Sequence, residues 1–300
     1  MIENNLKYAK KELIGHKSGV YAVKFSIDGN HVLSGSQDKT VKLWNPSKGL
    51  LIKSYEVHTQ PVLDIAISQD NAKFASVGLD KYVFLIDSIK GSTLRRFYGH
   101  QDRVNAVSFN PQETVLVSGS YDCSVRIWDL KSQSLEPIQI LKEAKDSITK
   151  VHVLDDKIIA ACVDGSVRKY DLRMGTMITD YFDFTINSLD ISPDEKFMLV
   201  SGLDNSIKLF ENENSEIVKV FKGLHTSQNY TLTVKYSLDL TNVITSSENG
   251  DIAIYDILDS NKNRVLKGHD KPSCGLDIHP TSNNILASCG FDGKVIIWNI

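Results

Sequence analysis

Three hundred residues with 41% apolar content suffice for a sizeable buried core, and at that length two domains are the ordinary expectation. Acidic and basic side chains nearly balance, 37 against 34, without the positive bias of a dedicated nucleic-acid binder. The longest apolar run, 158–163, falls far short of the ~20 residues that cross a bilayer as a helix.

In chain order, Met1-Ile2-Glu3-Asn4-Asn5 carries an acid and two amides before any apolar stretch, which predicts no secretory signal. Residues 7–14 read as a strand. Gly15-His16 then opens a unit with strands over 20–25, 31–36, 40–45 and 52–55. Turns at Asp28-Gly29-Asn30, Gln37-Asp38-Lys39 and 46–49 separate them. The apolar alternation, the β-branched side chains and this punctuation predict four short antiparallel strands.

The unit recurs along the chain. Its third strand ends on an aromatic or large apolar residue at Trp44, Ile86, Trp128, Tyr170, Phe210, Tyr255 and Trp298, at intervals of 40–45 residues. That period, with a Trp-Asp-like pair at its end, resembles the WD-repeat family. The resemblance implies an all-β, seven-bladed β-propeller, with 1–300 as a single domain. The sequence stops at Ile300 directly after a third strand, so the N-terminal strand is expected to complete the last blade and close the ring. No room is then left for a second domain.

From the His to the closing residue there are 28 residues in blades one to three, 30 in blade six and 29 in blade seven. Such constancy predicts that the two side chains meet. In WD-repeat proteins His, Ser or Thr, Asp and Trp form a hydrogen-bonded chain inside the blade. The matching sets are His16-Ser34-Asp38-Trp44, His100-Ser118-Asp122-Trp128 and His269-Ser288-Asp292-Trp298. Blade two has His58, Ser76 and Asp80 but Ile86 in place of the indole. Blades four and five lack the His yet have Asp164 and Asp204, and blade six has Asn249 there. These three blades are expected to lean on apolar packing and to open first.

Cys123, Cys162, Cys274 and Cys289 form no Cys-x-x-Cys pair and read as reduced thiols of a cytoplasmic or nuclear protein. The Ser, His and Asp sets recur at the repeat period, whereas a catalytic triad occurs once per site, so the sequence predicts no enzyme. No nucleophile elbow, phosphate-binding Gly-rich loop or zinc quartet is present, and no cofactor or metal is expected. The basic clusters Lys7-Lys10-Lys11, Arg95-Arg96 and Arg168-Lys169 are short and balanced by nearby acids, which argues against direct nucleic-acid contact.

The stretch Asp164-Gly165-Ser166-Val167-Arg168-Lys169-Tyr170-Asp171-Leu172-Arg173, with Thr179-Asp180-Tyr181 after it and Leu43-Trp44-Asn45-Pro46 in blade one, is more distinctive. It resembles the mitogen-activated protein kinase organizer family. The resemblance implies a non-catalytic scaffold for kinase-cascade components that is also associated with the spliceosome and pre-mRNA splicing. It implies a monomeric propeller working inside larger protein complexes. Tyr170-Asp171-Leu172-Arg173 also resembles the Trp-Asp-x-Arg motif of substrate receptors for cullin–RING ubiquitin ligases, with Arg173 as the adaptor contact. Blade three has Lys131 where a second such Arg would stand, and Lys lacks the planar fork.

Propellers bind chiefly at the mouth carrying the loops before the first strands and the turns between second and third. By analogy with WD-repeat proteins the contact residues here are Tyr21, Gln37, Leu63, Leu79, Arg103, Asn105, Tyr121, Tyr230, Leu232 and Phe291. Exposed residues of these types are those enriched at binding hot spots. Arg103, Tyr121 and Phe291 are the leading anchors.

Overall fold

The computed structural model describes residues 9–300, so Lys7, at the start of the expected first strand and in a basic cluster, lies outside the described residues. In Val20–Phe25 the side chains of Val20, Ala22, Val23 and Phe25 are buried. The turn that follows requires Gly29: its φ of 73° is left-handed, and a Cβ there would strike the His279 ring. The His31 N–H bonds to Ser26 Oγ at 2.9 Å and the chain returns as Val32–Ser36. Val41–Asn45 and the largely solvated Leu50–Tyr55 complete a four-stranded antiparallel sheet.

Six more four-stranded sheets repeat this plan. The seven innermost strands, Val20–Phe25, Val62–Ile67, Val104–Phe109, Ile148–Val153, Ile186–Ile191, Val234–Tyr236 and Ser273–Ile278, touch in succession, and the last returns to the first. The architecture is a seven-bladed β-propeller. Apart from a 3-10 turn at Ser260–Lys262, the regular structure of the described residues is all strand. Among them no helix is long and apolar enough to cross a membrane.

The ring closes as the sequence predicts. Ala9–Ile14 pairs antiparallel with Lys294–Asn299, from Ala9 opposite Asn299 to Ile14 opposite Lys294. Leu13 is fully buried in the apolar wedge between blades seven and one, with Val295 and Trp44.

Seven such wedges make up the core, one between each pair of neighbouring blades. Both faces of a middle strand are therefore covered, which is why Lys157–Cys162 is apolar and buried at every residue after its exposed Lys157. Ile86, where an indole would stand, is fully buried against Tyr55, Ile65 and Phe74 in the wedge between blades one and two.

Candidate protein-binding site

Six of the innermost strands share one irregularity. Pairing with the second strand slips by a residue at Tyr21, Leu63, Asn105, Thr149, Asn187 and Cys274. A bulge leaves its extra residue out of the ladder and re-aims its side chain. All six line one cavity of about 360 Å3 at the mouth of the propeller, together with Arg103, Tyr121 and Leu232. The sequence rule that selected Tyr21, Leu63 and Asn105 was thus reading a bulge.

The rim is fastened by a second repeated device. The backbone N–H of Gln37, Leu79, Tyr121, Val163, Leu203 and Phe291 donates to the carbonyl of Gly19, Pro61, Arg103, Ser147, Thr185 and Pro272 in turn, at 2.8–3.3 Å. Each bond joins the turn between second and third strands to the loop before the first. Val163 and Leu203 belong to this series and were not among the expected contacts. Each precedes a turn Asp, Asp164 and Asp204, so the rule for the residue before that Asp identifies both.

Two aromatic groupings stand on this rim. Phe291 packs edge-on against Tyr21 at 5.4 Å and against Tyr230 at 5.1 Å, bridging blades one, seven and six. Across the mouth the Arg103 guanidinium lies 4.5 Å from the centre of the Tyr121 ring. Tyr121, Tyr230 and Leu79 are 48%, 43% and 37% exposed. Gln37 is exposed and accepts a hydrogen bond from Ser18 Oγ at 2.7 Å.

Two of the expected contacts are also engaged within the propeller. Leu232 is only 2% exposed and forms part of the cavity wall rather than the exposed rim. The Asn105 amide donates to the Ile148 carbonyl at 2.8 Å and Ser147 Oγ at 2.9 Å, stitching blade three to blade four. Asn187 repeats the link with a 2.8 Å bond to the Tyr230 carbonyl.

Beneath the rim lie the hydrogen-bonded sets. In blade one Trp44 Nε1 donates to Ser34 Oγ at 2.8 Å, Ser34 Oγ is 2.7 Å from His16 Nε2, and His16 Nδ1 is 2.8 Å from Asp38. Blade three matches with Trp128, Ser118, His100 and Asp122 at 2.9, 2.8 and 2.8 Å. Blade seven does so with Trp298, Ser288, His269 and Asp292 at 2.8, 2.8 and 3.0 Å. Blade two keeps two links, His58 to Ser76 and to Asp80, both at 2.7 Å. The indole has only a donor, so the network assigns Ser O–H to His Nε2 and His Nδ1–H to the carboxylate, with a neutral imidazole. Burial outweighs the carboxylates and pulls His16 and His100 below their ordinary values. Although burial opposes it, hydrogen bonds from Thr40, Lys17 and His16 hold Asp38 down at about 2.

Blades four and five do not simply fall back on apolar packing. Asp164 meets Arg168 Nη2 at 2.8 Å, and that arginine is 1% exposed. Asp204 meets Lys208 at 3.2 Å, with the ammonium over the Phe184 ring. In blade six His225 Nδ1 lies 2.7 Å from the Tyr255 hydroxyl, so the His and the closing aromatic do meet. Asn249 bonds instead to Asp251.

The channel below the cavity holds charges that the sequence reading did not single out. Lys24, Lys150 and Lys235 pair with Asp277, Asp64 and Asp190 at 3.4, 2.9 and 2.6 Å. All three lysines border both the upper cavity and the one at the opposite mouth, so the pairs form a floor between them. Their sequence signal is an isolated charge in an otherwise apolar first strand. Arg173 belongs to the other face, in the turn after a third strand. It pairs with Asp156 at 3.5 Å, its side chain is 80% exposed, and its N–H bonds to Asp171.

Comparison with known proteins agrees with this geometry. The family description WD domain, G-beta repeat matches residues 8–45, 49–87, 91–129, 177–211 and 260–299. The two long gaps, 130–176 and 212–259, hold the fourth strands of blades three and five and the first three strands of blades four and six, neither of which has the full His-Ser-Asp-Trp set. The chain is 33% identical to a WD repeat domain-containing protein 83 homolog of Dictyostelium discoideum, over 96% of this chain and 97% of that one. It is 40% identical to WD repeat domain-containing protein 83 of Homo sapiens, over 94% and 89% respectively. A further likeness, at 27% identity, is to pre-mRNA-processing factor 17 of Homo sapiens, over 95% of this chain and 51% of that one. With the repeat, the ring and these near full-length likenesses together, the chain belongs to the WD repeat domain-containing protein 83 family of WD40-repeat β-propellers.

Proposed function

We propose that the whole chain is one non-catalytic platform that captures protein partners on the rim around the upper cavity. The observation that carries this reading is the rim itself: exposed Tyr121, Tyr230, Leu79 and Arg103 on loops that hydrogen bonds tie to the neighbouring turns. Aromatic and arginine side chains on rigid supports lose little freedom on binding and are hot-spot residues. The Ser, His and Asp sets offer no counter-reading as catalysts. Ser34, Ser118 and Ser288 are fully buried, and their hydroxyls are engaged by both His and Trp.

The partners we assign are components of kinase-cascade or spliceosomal assemblies in the cytoplasm, the nucleus or both. The likeness to a protein named as a pre-mRNA-processing factor supports the splicing arm, and the sequence resemblance to the organizer family supports the signalling arm. The exposure of Arg173 on the opposite face favours a second reading, a ubiquitin-ligase receptor that docks its adaptor there.

Quantitative affinity purification from native cells, wild type against a folded Arg103→Ala/Tyr121→Ala variant, separates these readings. Spliceosomal or kinase-cascade proteins should be recovered by the wild type and lost with the rim. Unaltered capture by the folded double variant would sink the placement. A cullin adaptor that survives the rim change but is lost on Arg173→Ala would make the ligase reading the better one.

A further inference from the structure

We infer that the partner segment seated on this rim presents a carboxylate to Arg103, with an aromatic or branched aliphatic side chain close beside it. The inference rests on the scaffold reading and narrows the partner to an acidic peptide segment with an apolar anchor.

Arg103 stands apart from the other arginines. Arg126, Arg168 and Arg173 each hold a carboxylate, at 3.7, 2.8 and 3.5 Å, whereas Arg103, like Arg95, Arg96 and Arg264, has no ion pair among the described residues, and of these four it is the one that lines the cavity. The adjacent Asp102 accepts the Arg103 backbone N–H at 2.6 Å and makes no ion pair with its guanidinium. The guanidinium lies over the Tyr121 ring, and the 2.9 Å bond from Tyr121 N–H to the Arg103 carbonyl holds the two loops in register. A planar fork fixed in this way keeps its edge N–H groups free for a bidentate acceptor and has little rotamer freedom left to lose.

The surroundings define the rest of the ligand. At the same position in five other blades stand Gly19, Pro61, Ser147, Thr185 and Pro272, so Arg103 is the lone cation at that position, and the loop lysines Lys17, Lys145 and Lys271 do not line the cavity. The lysines of the cavity floor are each occupied by an aspartate. A nucleic-acid backbone needs a track of free cations, and this cavity offers one. Leu63 and Tyr121 line the same wall, and the Tyr21–Phe291–Tyr230 stack faces them, so a single anion has apolar surface on both sides.

A random dodecapeptide display library panned on the full chain tests this. Wild-type protein should enrich Asp or Glu next to an aromatic, Leu or Ile. A selected peptide should bind roughly tenfold more weakly after Glu→Gln, the scale of a charged hydrogen-bonded pair. With Arg103→Ala the Glu and Gln peptides should bind alike, and Arg103→Glu should enrich Lys and Arg, both variants melting like the wild type. Acid preference that persists in Arg103→Ala overturns the assignment. So does wild-type selection of neutral or basic peptides, or of none. If rim-dependent capture from cells survives such a result, only the carboxylate is refuted; if capture is also independent of the rim, the scaffold placement fails with it.

Discussion

At the scale of single residues, the Ser at the centre of each network matters more than its size suggests, because it accepts from Trp and donates to His. Ser118→Ala strands both Trp128 Nε1 and His100 Nε2 in a buried site and should cost about 2–4 kcal/mol, read as a lower guanidinium midpoint at constant slope. Ser76→Ala in blade two, where no indole donates, strands the His58 nitrogen alone and should cost roughly half as much. The same groups set the response to acid. Burial lowers the pKa of His16 and His100 from 6.5, and pushes His152 and His225 down to about 4. The folded state therefore binds these protons less readily than the unfolded chain. Stability is full above the ordinary value of 6.5 and falls as pH drops towards about 4. Asp38, lowered from 3.8 to about 2, adds a second loss across that lower window. Denaturant midpoints measured from pH 8 to pH 3 should show the first decline already by pH 5; a midpoint flat to pH 4 would refute the neutral-imidazole networks.

Among elements, the blades differ in what replaces the network. Arg168→Ala would leave Asp164 without its cation in a largely buried site and should destabilise by about 3 kcal/mol. Lys208→Ala should cost less than about 1 kcal/mol, since Asp204 is one-third exposed. Blade six is the weakest by this reading. Its innermost strand, Val234–Tyr236, has three residues where Val20–Phe25 has six, and the buried Nε2 of His225 has no protein partner among the described residues. Hydrogen exchange should find the Val234–Tyr236 amides opening well before those of Val20–Phe25, and equal protection would contradict it. The sequence reading placed weakness in blades four, five and six alike. It could not separate them, because Arg168 and Lys208 sit in strands where nothing local says that they turn inward to an aspartate four residues back.

For the molecule as a whole, ring closure carries the cooperativity. Leu13→Asp would place a charge in the wedge between blades seven and one, detach Ala9–Ile14 and bare the edge of Lys294–Asn299. The melting temperature should drop by roughly 10 °C. Light scattering should detect association that rises with concentration, and a monomer with unchanged melting would show that the closing strand is dispensable. The seven blades and the membership of each His-Ser-Asp-Trp set were legible in the sequence, because each depends on spacing within one repeat of a strict strand-and-turn pattern, and the closure was legible because the strand before Gly15-His16 stands where a repeat's fourth strand does. The positions at the mouth were legible in part: a fixed offset from His or Asp picks out Tyr21, Arg103, Tyr121 and Phe291, which the structure gathers there, and also Leu232, which it buries in the cavity wall. What only the tertiary structure decided lies between blades: the Tyr21–Phe291–Tyr230 stack, the Asn105 link, the lysine–aspartate floor and the carboxylate-free Arg103. These join residues as far as 270 positions apart in sequence, from Tyr21 to Phe291, through the angle between neighbouring sheets. A repeat specifies its own hydrogen bonds, whereas the partners of a side chain at the mouth are set by how seven repeats pack around a common axis.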